Sequence, residues 1–315
     1  MKDMSSFVIS ADVNCDLNDE LSKEYDIEIL PGHMVTPTEA DLLTYPNWDS
    51  FTSMENFYSE LSANPDKFAT SPPNSRECAV FFEKCASEGK ELLHLCISSG
   101  ISGAFDFAVE AKNEVLKKYP QAKIKVVDTM RFGPGFGLMV IYAAIKRNEG
   151  ASLDEVYDYI EENKNRFHQA GWLDDLSFVA KKGRLTHAKA FFGTLAGVKP
   201  IGEFDYNGLT TVIGKFKGAK SAYKGLLNYI EKTIENPEEQ IIFIAQSNRL
   251  DAAVKYKEMI EEKFHPKAVV IKDLYASCGV NVGPGLMAAY YVGLPISQGL
   301  ETEKKIIDDY LLGAN

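Results

Sequence analysis

Short apolar runs alternate with helical patterns through the first half of the chain, and this alternation narrows the fold more than any other feature. Phe7-Val8-Ile9, Ile27-Glu28-Ile29-Leu30, Leu92 to Ile97 and Ile124 to Val127 read as strands. Between them, Leu17 to Tyr25, Met54 to Ala63, the stretch after Asn74 and Phe105 to Tyr119 read as helices. Asn74 with Glu77, and Ser152 with Glu155, have the spacing of capping boxes. Residues 33 to 53 read as irregular, and Gly133-Pro134-Gly135-Phe136-Gly137 reads as a loop leading into a helix over 138–147. Parallel strands need crossovers, which helices supply, so the pattern predicts an α/β domain with a parallel sheet. Ligands of such sheets bind beyond the carboxyl ends of the strands. The loops after the strands are therefore where function is sought.

The second half has a different character. Val198 to Phe204 and Leu209 to Lys215 are β-like runs joined by Asp205-Tyr206-Asn207-Gly208, and Asn-Gly there signals a hairpin. Ile241 to Ala245 and Val269 to Leu274 read as strands, and Ser221 to Glu235 and 250–264 as helices. Ala253, Tyr256, Ile260 and Phe264 recur at helical spacing as a core stripe. Gly283-Pro284-Gly285 precedes a small-residue apolar run, Leu286 to Tyr291, that reads as a helix. Antiparallel pairing is thus expected here. At 315 residues the chain is long for one core. Two α/β domains are expected, 1–160 with a parallel sheet between helical layers and 161–315 with a mixed or antiparallel sheet.

Charge and composition remove several functions. A net charge of −11 disfavours nucleic acid and anionic lipid surfaces, both of which need a basic face. Met1 to Ser6 carries no long apolar stretch, and no run approaches the ~20 apolar residues of a membrane span. The expectation is a soluble cytoplasmic protein. The 5 cysteines (Cys15, Cys78, Cys85, Cys96, Cys278) form no C-x-x-C pair, and the 5 histidines show no metal-ligand spacing. Buried reduced thiols and no metal centre follow.

Two hydroxyl clusters stand where a loop opens into a helix. Thr70-Ser71-Pro72-Pro73-Asn74 precedes the capped helix, and Ile97-Ser98-Ser99-Gly100-Ile101-Ser102-Gly103 follows a strand. Both offer hydroxyls and free N–H groups to an anion, or simply cap and turn. Neither matches a nucleotide-binding glycine motif. Lys181-Lys182-Gly183-Arg184-Leu185-Thr186-His187 is the compact basic cluster of an acidic chain, facing a ligand or partner or closing a helix end. Asn281 before Gly283-Pro284-Gly285 donates to an anion or to its own turn.

Laid in order, these segments resemble the DegV family, the fatty-acid-binding proteins that work with the bacterial fatty-acid kinase (the FakB type). Asp12-Val13-Asn14-Cys15-Asp16-Leu17 matches its D-S-T-x-D-L segment, Thr70 to Asn74 its T-S-Q-P-S, and Ile97 to Phe105 its I-S-S-x-x-S-G-T/S-Y/F. Val126 to Thr129 with Gly135 to Gly137 matches V-x-D-S/T and its glycine loop. Asp175-Leu176 with Lys181 to Leu185, Lys199-Pro200 through Gly208, and Asn281 to Gly285 match the remaining three segments. The resemblance implies a DegV-like pair of α/β domains with a fatty acid in a tunnel between them. It implies a carboxylate site at Thr70, Ser71, Ser98, Ser99 and Asn281, with Arg184 touching the partner kinase or the head group. It implies no cofactor beyond the bound fatty acid and no catalytic residue; a monomer is also expected. Burying a sixteen-carbon tail at ~0.8 kcal/mol per CH₂ would supply on the order of 10 kcal/mol before entropy losses.

Four positions depart from the family pattern. Asn281 stands where the family has histidine, so the side chain donates a hydrogen bond but cannot become cationic. Val13 and Asn14 replace hydroxyl residues, and Pro72 replaces a glutamine. A second function class stays open: an enzyme, a phosphotransferase or hydrolase, acting on a small anionic substrate, with Asp12, Asp16 and Asp128 at strand ends as acid–base or magnesium candidates.

Overall fold

The computed structural model describes residues 7–184 and 197–313. Leu185, Thr186 and His187 of the basic cluster lie outside them. The first half runs β1 (Phe7–Asp12), α1 (Asp19–Glu24), β2 (Ile27–Leu30), β3 (Gly32–Val35), β4 (Leu42–Thr44), α2 (Met54–Ala63) and β5 (Ala69–Ser71). It continues with α3 (Ser75–Ser87), β6 (Glu91–Cys96), α4 (Ala104–Lys118), β7 (Ile124–Asp128), α5 (Gly133–Asn148) and α6 (Leu153–Asn163). Both anticipated capping boxes form, at Asn74–Glu77 and Ser152–Glu155.

β1, β2, β6 and β7 make the parallel sheet, in the order β2-β1-β6-β7. Ile9, Ala11, Leu92, Leu93 and Leu95 are fully buried, as expected of strands covered on both faces. From β1 the chain steps one way to β2, then crosses back past β1 to β6. The strand order therefore reverses between β1 and β6, and a doubly wound sheet opens its crevice at that point.

The second half runs β8 (Phe167–Leu173), α7 (Ser177–Lys181), β9 (Val198–Phe204), β10 (Thr210–Lys217), α8 (Ala219–Thr233), β11 (Ile241–Gln246) and α9 (Leu250–Phe264). It closes with β12 (Ala268–Asp273), α10 (Ala276–Val282), β13 (Leu286–Val292) and α11 (Glu301–Leu311). Its sheet is mixed, in the order β10-β9-β8-β13-β11-β12, with β11 and β12 parallel and the other pairs antiparallel. The hairpin at Asp205–Gly208 is present, with Gly208 at φ +70°. Helix α9 buries Ala253, Tyr256 and Ile260 and leaves Phe264 partly covered.

Three expectations about local structure are corrected. Leu286 to Tyr291 is the central strand β13, not a helix. A strand buried on both faces loses its alternation and looks like a buried helix in sequence. Its small residues serve close pairing: Ala288 stands opposite Gly171, where an added Cβ would lie 2.3 Å from the Ala288 Cβ. Gly133 to Gly137 is the first turn of α5 rather than a loop. Its glycines admit neighbours, since a Cβ on Gly137 would lie 2.3 Å from the Cys15 carbonyl and one on Gly135 2.6 Å from the Tyr290 ring. Residues 33 to 53 are not all irregular: β3 and β4 pair with each other, and β5 joins β3 from the other side.

This small antiparallel sheet and α2 pack on α10 through a separate apolar cluster of Met34, Phe57, Tyr58, Leu61, Phe68 and Val280. Polar ties reinforce it. Trp48 Nε1 donates to Asp273 (2.8 Å), and the Tyr58 hydroxyl donates to the Leu274 carbonyl (2.6 Å). Thr44 and Ser277 share a hydroxyl–hydroxyl bond of 2.7 Å. An early stretch of the chain thus forms a cover held by a late one.

Candidate functional site

A cavity lies where the carboxyl ends of β1 and β6, the small sheet, α10 and the β8–β9 face of the mixed sheet meet. Counted out to its open mouth, it holds about 1190 Å³ of empty space. One part of the wall is apolar, with Ile97, Phe132, Trp172, Leu176, Val179 and Leu286. Another is polar and uncharged, with Asn14, Thr70, Ser71, Ser102, Ser277 and Asn281. Arg184 is the one cation among the described lining residues; it is exposed, and its guanidinium donates to the Lys182 carbonyl.

Thr70 sits mid-strand in β5, opposite Met34, and Pro72-Pro73 turn the chain straight into the Asn74 cap of α3. The Asn281 side-chain amide, on α10, donates to the Thr70 hydroxyl oxygen at 2.9 Å and more weakly to the Ser277 carbonyl at 3.4 Å. With its oxygen accepting from Asn281, the Thr70 hydroxyl keeps its own proton to donate. That proton, and the hydroxyls of Ser71 and Ser102, form a neutral donor set suited to an anionic oxygen. Helix α10 is therefore both anchor for the cover and orienter of its threonine.

The serine-rich loop divides differently from expectation. Thr70, Ser71, Asn281 and Arg184 all reach the cavity wall, but Ser98 and Ser99 do not. Ser98 is fully buried; its hydroxyl donates to the Gly208 carbonyl (2.8 Å) and accepts from Gly100 N–H (3.1 Å). It ties the loop to the β9–β10 turn, and a Cβ on Gly208 would stand 1.9 Å from its oxygen. Ser99 is exposed, and its N–H donates to Asp128 at 3.1 Å. The serine that faces the cavity is Ser102, just before α4, whose hydroxyl also accepts from Ala104 N–H at 3.3 Å.

The three aspartates at strand ends are not on the cavity wall. Asp12 is buried and accepts from Ile97 N–H (2.7 Å), Asn14 N–H (3.0 Å) and the Asn14 amide (2.7 Å). Burial nonetheless outweighs these bonds and pushes its carboxyl up to about 6. Asp16 is also buried and raised by desolvation; it accepts from Tyr275 N–H at 3.2 Å. Asp128 accepts from the Ser99 and Met130 amides, each at 3.1 Å. All three hold loops together. Among the described residues no group of three His, Cys, Asp or Glu side chains is placed to hold a metal. Cys278 lines the cavity, and burial pushes its thiol well above its ordinary value, so it is a neutral wall residue.

Part of the wall was invisible in the sequence because β8 was not anticipated. Gln169, Gly171 and Leu173 reach the cavity from alternate positions of that strand, Trp172 joins them, and Gly202 faces them from β9. The all-buried run Phe167 to Leu173 offers no alternation to read; its aromatic ends are the available signal.

The model of the DegV family, described as uncharacterised protein, matches residues 6–293. The chain belongs to the DegV family. A DegV domain-containing protein of Clostridium perfringens is 35% identical over 290 residues, covering 92% of this chain and 98% of that protein. Among solved structures, a DegV family protein from Thermus thermophilus described for its fatty-acid binding superposes with TM-score 0.81 at 23% identity, over 92% of this chain and all of that one. A stearic-acid-binding protein from Eubacterium ventriosum superposes with TM-score 0.76 at 18% identity, over 91% and 98% of the two chains. These likenesses agree with the α/β architecture of a parallel and a mixed sheet. Among the described residues no helix is long and apolar enough to cross a membrane.

Proposed function

We propose that this DegV protein holds a long-chain fatty acid in the cavity and presents its carboxyl group to a separate fatty-acid kinase, with no catalytic residue of its own. The two domains divide at 160/161, and the acid lies between them, in a cytoplasmic monomer. One observation carries the reading: the Thr70 hydroxyl, set by the 2.9 Å bond from Asn281, faces a cavity whose remaining wall is largely apolar. Such a wall suits an acyl chain and such a donor suits a carboxylate. The solved DegV relatives described as binding fatty acids support it.

The head group would be held by neutral donors, Thr70, Ser71 and Ser102, with Asn281 orienting Thr70 and Arg184 at the rim available to the head group or the kinase. Neutral hydrogen bonds to a charged acceptor are worth about 1.5–3 kcal/mol each, so two or three of them, not an ion pair, would orient the carboxylate. The asparagine at 281 leaves the carboxylate without a cationic neighbour on α10.

Titrating delipidated protein with stearic acid and with methyl stearate tests this. The acid should bind at least about 10-fold tighter, and Thr70→Val should bring it close to the ester, as loss of one charge-assisted hydrogen bond requires. Equal binding of acid and ester, or binding of neither, would overturn the reading.

A further inference from the structure

The cavity holds a second polar feature, away from the carboxylate donors. Gln169 is 3% exposed and lines the cavity from β8. Its backbone N–H donates to Glu203 at 2.7 Å, and its side-chain oxygen accepts from the Tyr290 hydroxyl at 3.1 Å. The Tyr290 bond fixes the amide with its NH₂ on the other side. That Nε2 has no acceptor among the described residues. Among the described residues the sealed polar atoms lacking a partner are Asp16 Oδ2 and Arg131 Nη2, and Gln169 Nε2 is not one of them. A residue this buried that still presents an amide presents it into the cavity it lines.

The neighbours keep that amide open. Gly202 stands in front of it, where an added Cβ would lie 3.3 Å from Nε2 and 3.0 Å from the Thr210 methyl. Thr210 lines the same part of the wall. Leu173, at the end of β8, is paired with Leu286, close after Asn281. Gln169 lies four residues back along the strand, roughly 13 Å at about 3.3 Å per residue. The amide therefore meets the ligand at a part of the wall well removed from Leu173 and Leu286.

We propose that Gln169 makes this cavity selective for long-chain fatty acids bearing an oxygen function, a hydroxyl or keto group, part-way along the acyl chain. The inference rests on the fatty-acid reading above. A plain methylene chain would cover the NH₂ and leave a buried donor unpaired, whereas an oxygen on the chain accepts from it. A site with a fixed donor discriminates against the ligand that lacks the acceptor.

The test compares octadecanoic acid with its hydroxy derivatives, the hydroxyl walked along the chain, by competition for the delipidated protein. One hydroxyl position should bind about 10-fold tighter than the parent acid, equivalent to 1.4 kcal/mol. Gln169→Met, which keeps shape and removes both donors, should bring that ratio to about one. Tyr290→Phe, which keeps the NH₂ but frees the amide to turn, should weaken the preference without abolishing it. If Gln169→Met fails to fold for want of an acceptor for Tyr290, the double variant Gln169→Met/Tyr290→Phe removes both partners and should show the same loss. A preference that survives loss of the amide, or no hydroxyl position better than the parent, would overturn the proposal while octadecanoic acid still binds. Failure of every acid to bind would overturn the fatty-acid reading and this inference with it.

Discussion

Two serines four positions apart divide the work of the loop after β6. Ser98 is spent on the Gly208 carbonyl, whereas Ser102 faces the cavity. Ser98→Ala should therefore cost about 1–2 kcal/mol of stability in denaturant unfolding, with affinity for the acid little changed once folded. Ser102→Ala should do the reverse, weakening the acid about 5- to 30-fold by titration calorimetry with the unfolding midpoint nearly kept. Asn281→His should retain the hold on Thr70 through a ring N–H and add a group that titrates, so affinity for the acid should strengthen as pH falls below about 6.5. An affinity for the acid that shows no such pH dependence in the histidine variant would mean that position 281 does not sense the carboxylate. The hydroxyl clusters were legible in the sequence as candidates for an anion or for caps and turns, and Thr70, Ser71 and Asn281 do line one cavity. Which serine of the second cluster faces inward was not legible. It is decided by a turn 110 residues away, where Gly208 offers its carbonyl to Ser98.

Among the elements, the small sheet carries a tie that responds to pH near neutrality. His33 on β3 bonds Asp41 (2.7 Å) and Glu77 (2.8 Å), joining the strand beside Thr70 and Ser71 to the first turn of α3. The Asp41 bond, with help from Glu77, holds the imidazole above its ordinary value against a smaller effect of burial. A raised pKa means the folded state binds the proton more tightly. The stabilisation is thus complete below about 6.5 and is lost as pH rises through the folded value. Its size should stay under about 1 kcal/mol, because Asp41 is exposed. Unfolding curves across this window should be flatter for His33→Gln than for the parent. In the mixed sheet, Glu203 is fully buried and accepts from His168, Gln169 N–H and the Tyr229 hydroxyl, uniting β8, β9 and α8. Glu203→Ala would strand His168 and Tyr229 and should cost about 3–5 kcal/mol, read as a lowered denaturant midpoint. Elements with period or caps (β1, β2, α2, α3, α9 and the β9–β10 hairpin) were legible. The strands β8 and β13 were not, because both faces of each are buried and no alternation survives. Nor were β3 to β5, three or four residues each, whose pairing is set by packing on α10.

At the scale of the molecule, two sheets and a small cover line a cavity, polar near α10 and apolar over much of its remaining wall. The fold class followed from the alternation of the first half and the hairpin of the second. The cavity did not, because much of its wall belongs to β8 and to residues whose proximity only the packing of the sheets creates. A ligand that binds the folded chain alone must raise its stability. At a free concentration 100 times Kd the gain is about 2.7 kcal/mol, a rise of roughly 5 °C in thermal midpoint for a chain of this size. Stearic acid should produce that shift, and Thr70→Val should reduce it. Whether this cavity carries a fatty acid is read by mass spectrometry of an organic extract of the purified protein. Long-chain fatty acid should be recovered near one per chain, absent from delipidated protein and restored on incubation with the acid. An extract free of acyl chains, from a protein that also fails to take one up, would contradict the fatty-acid reading.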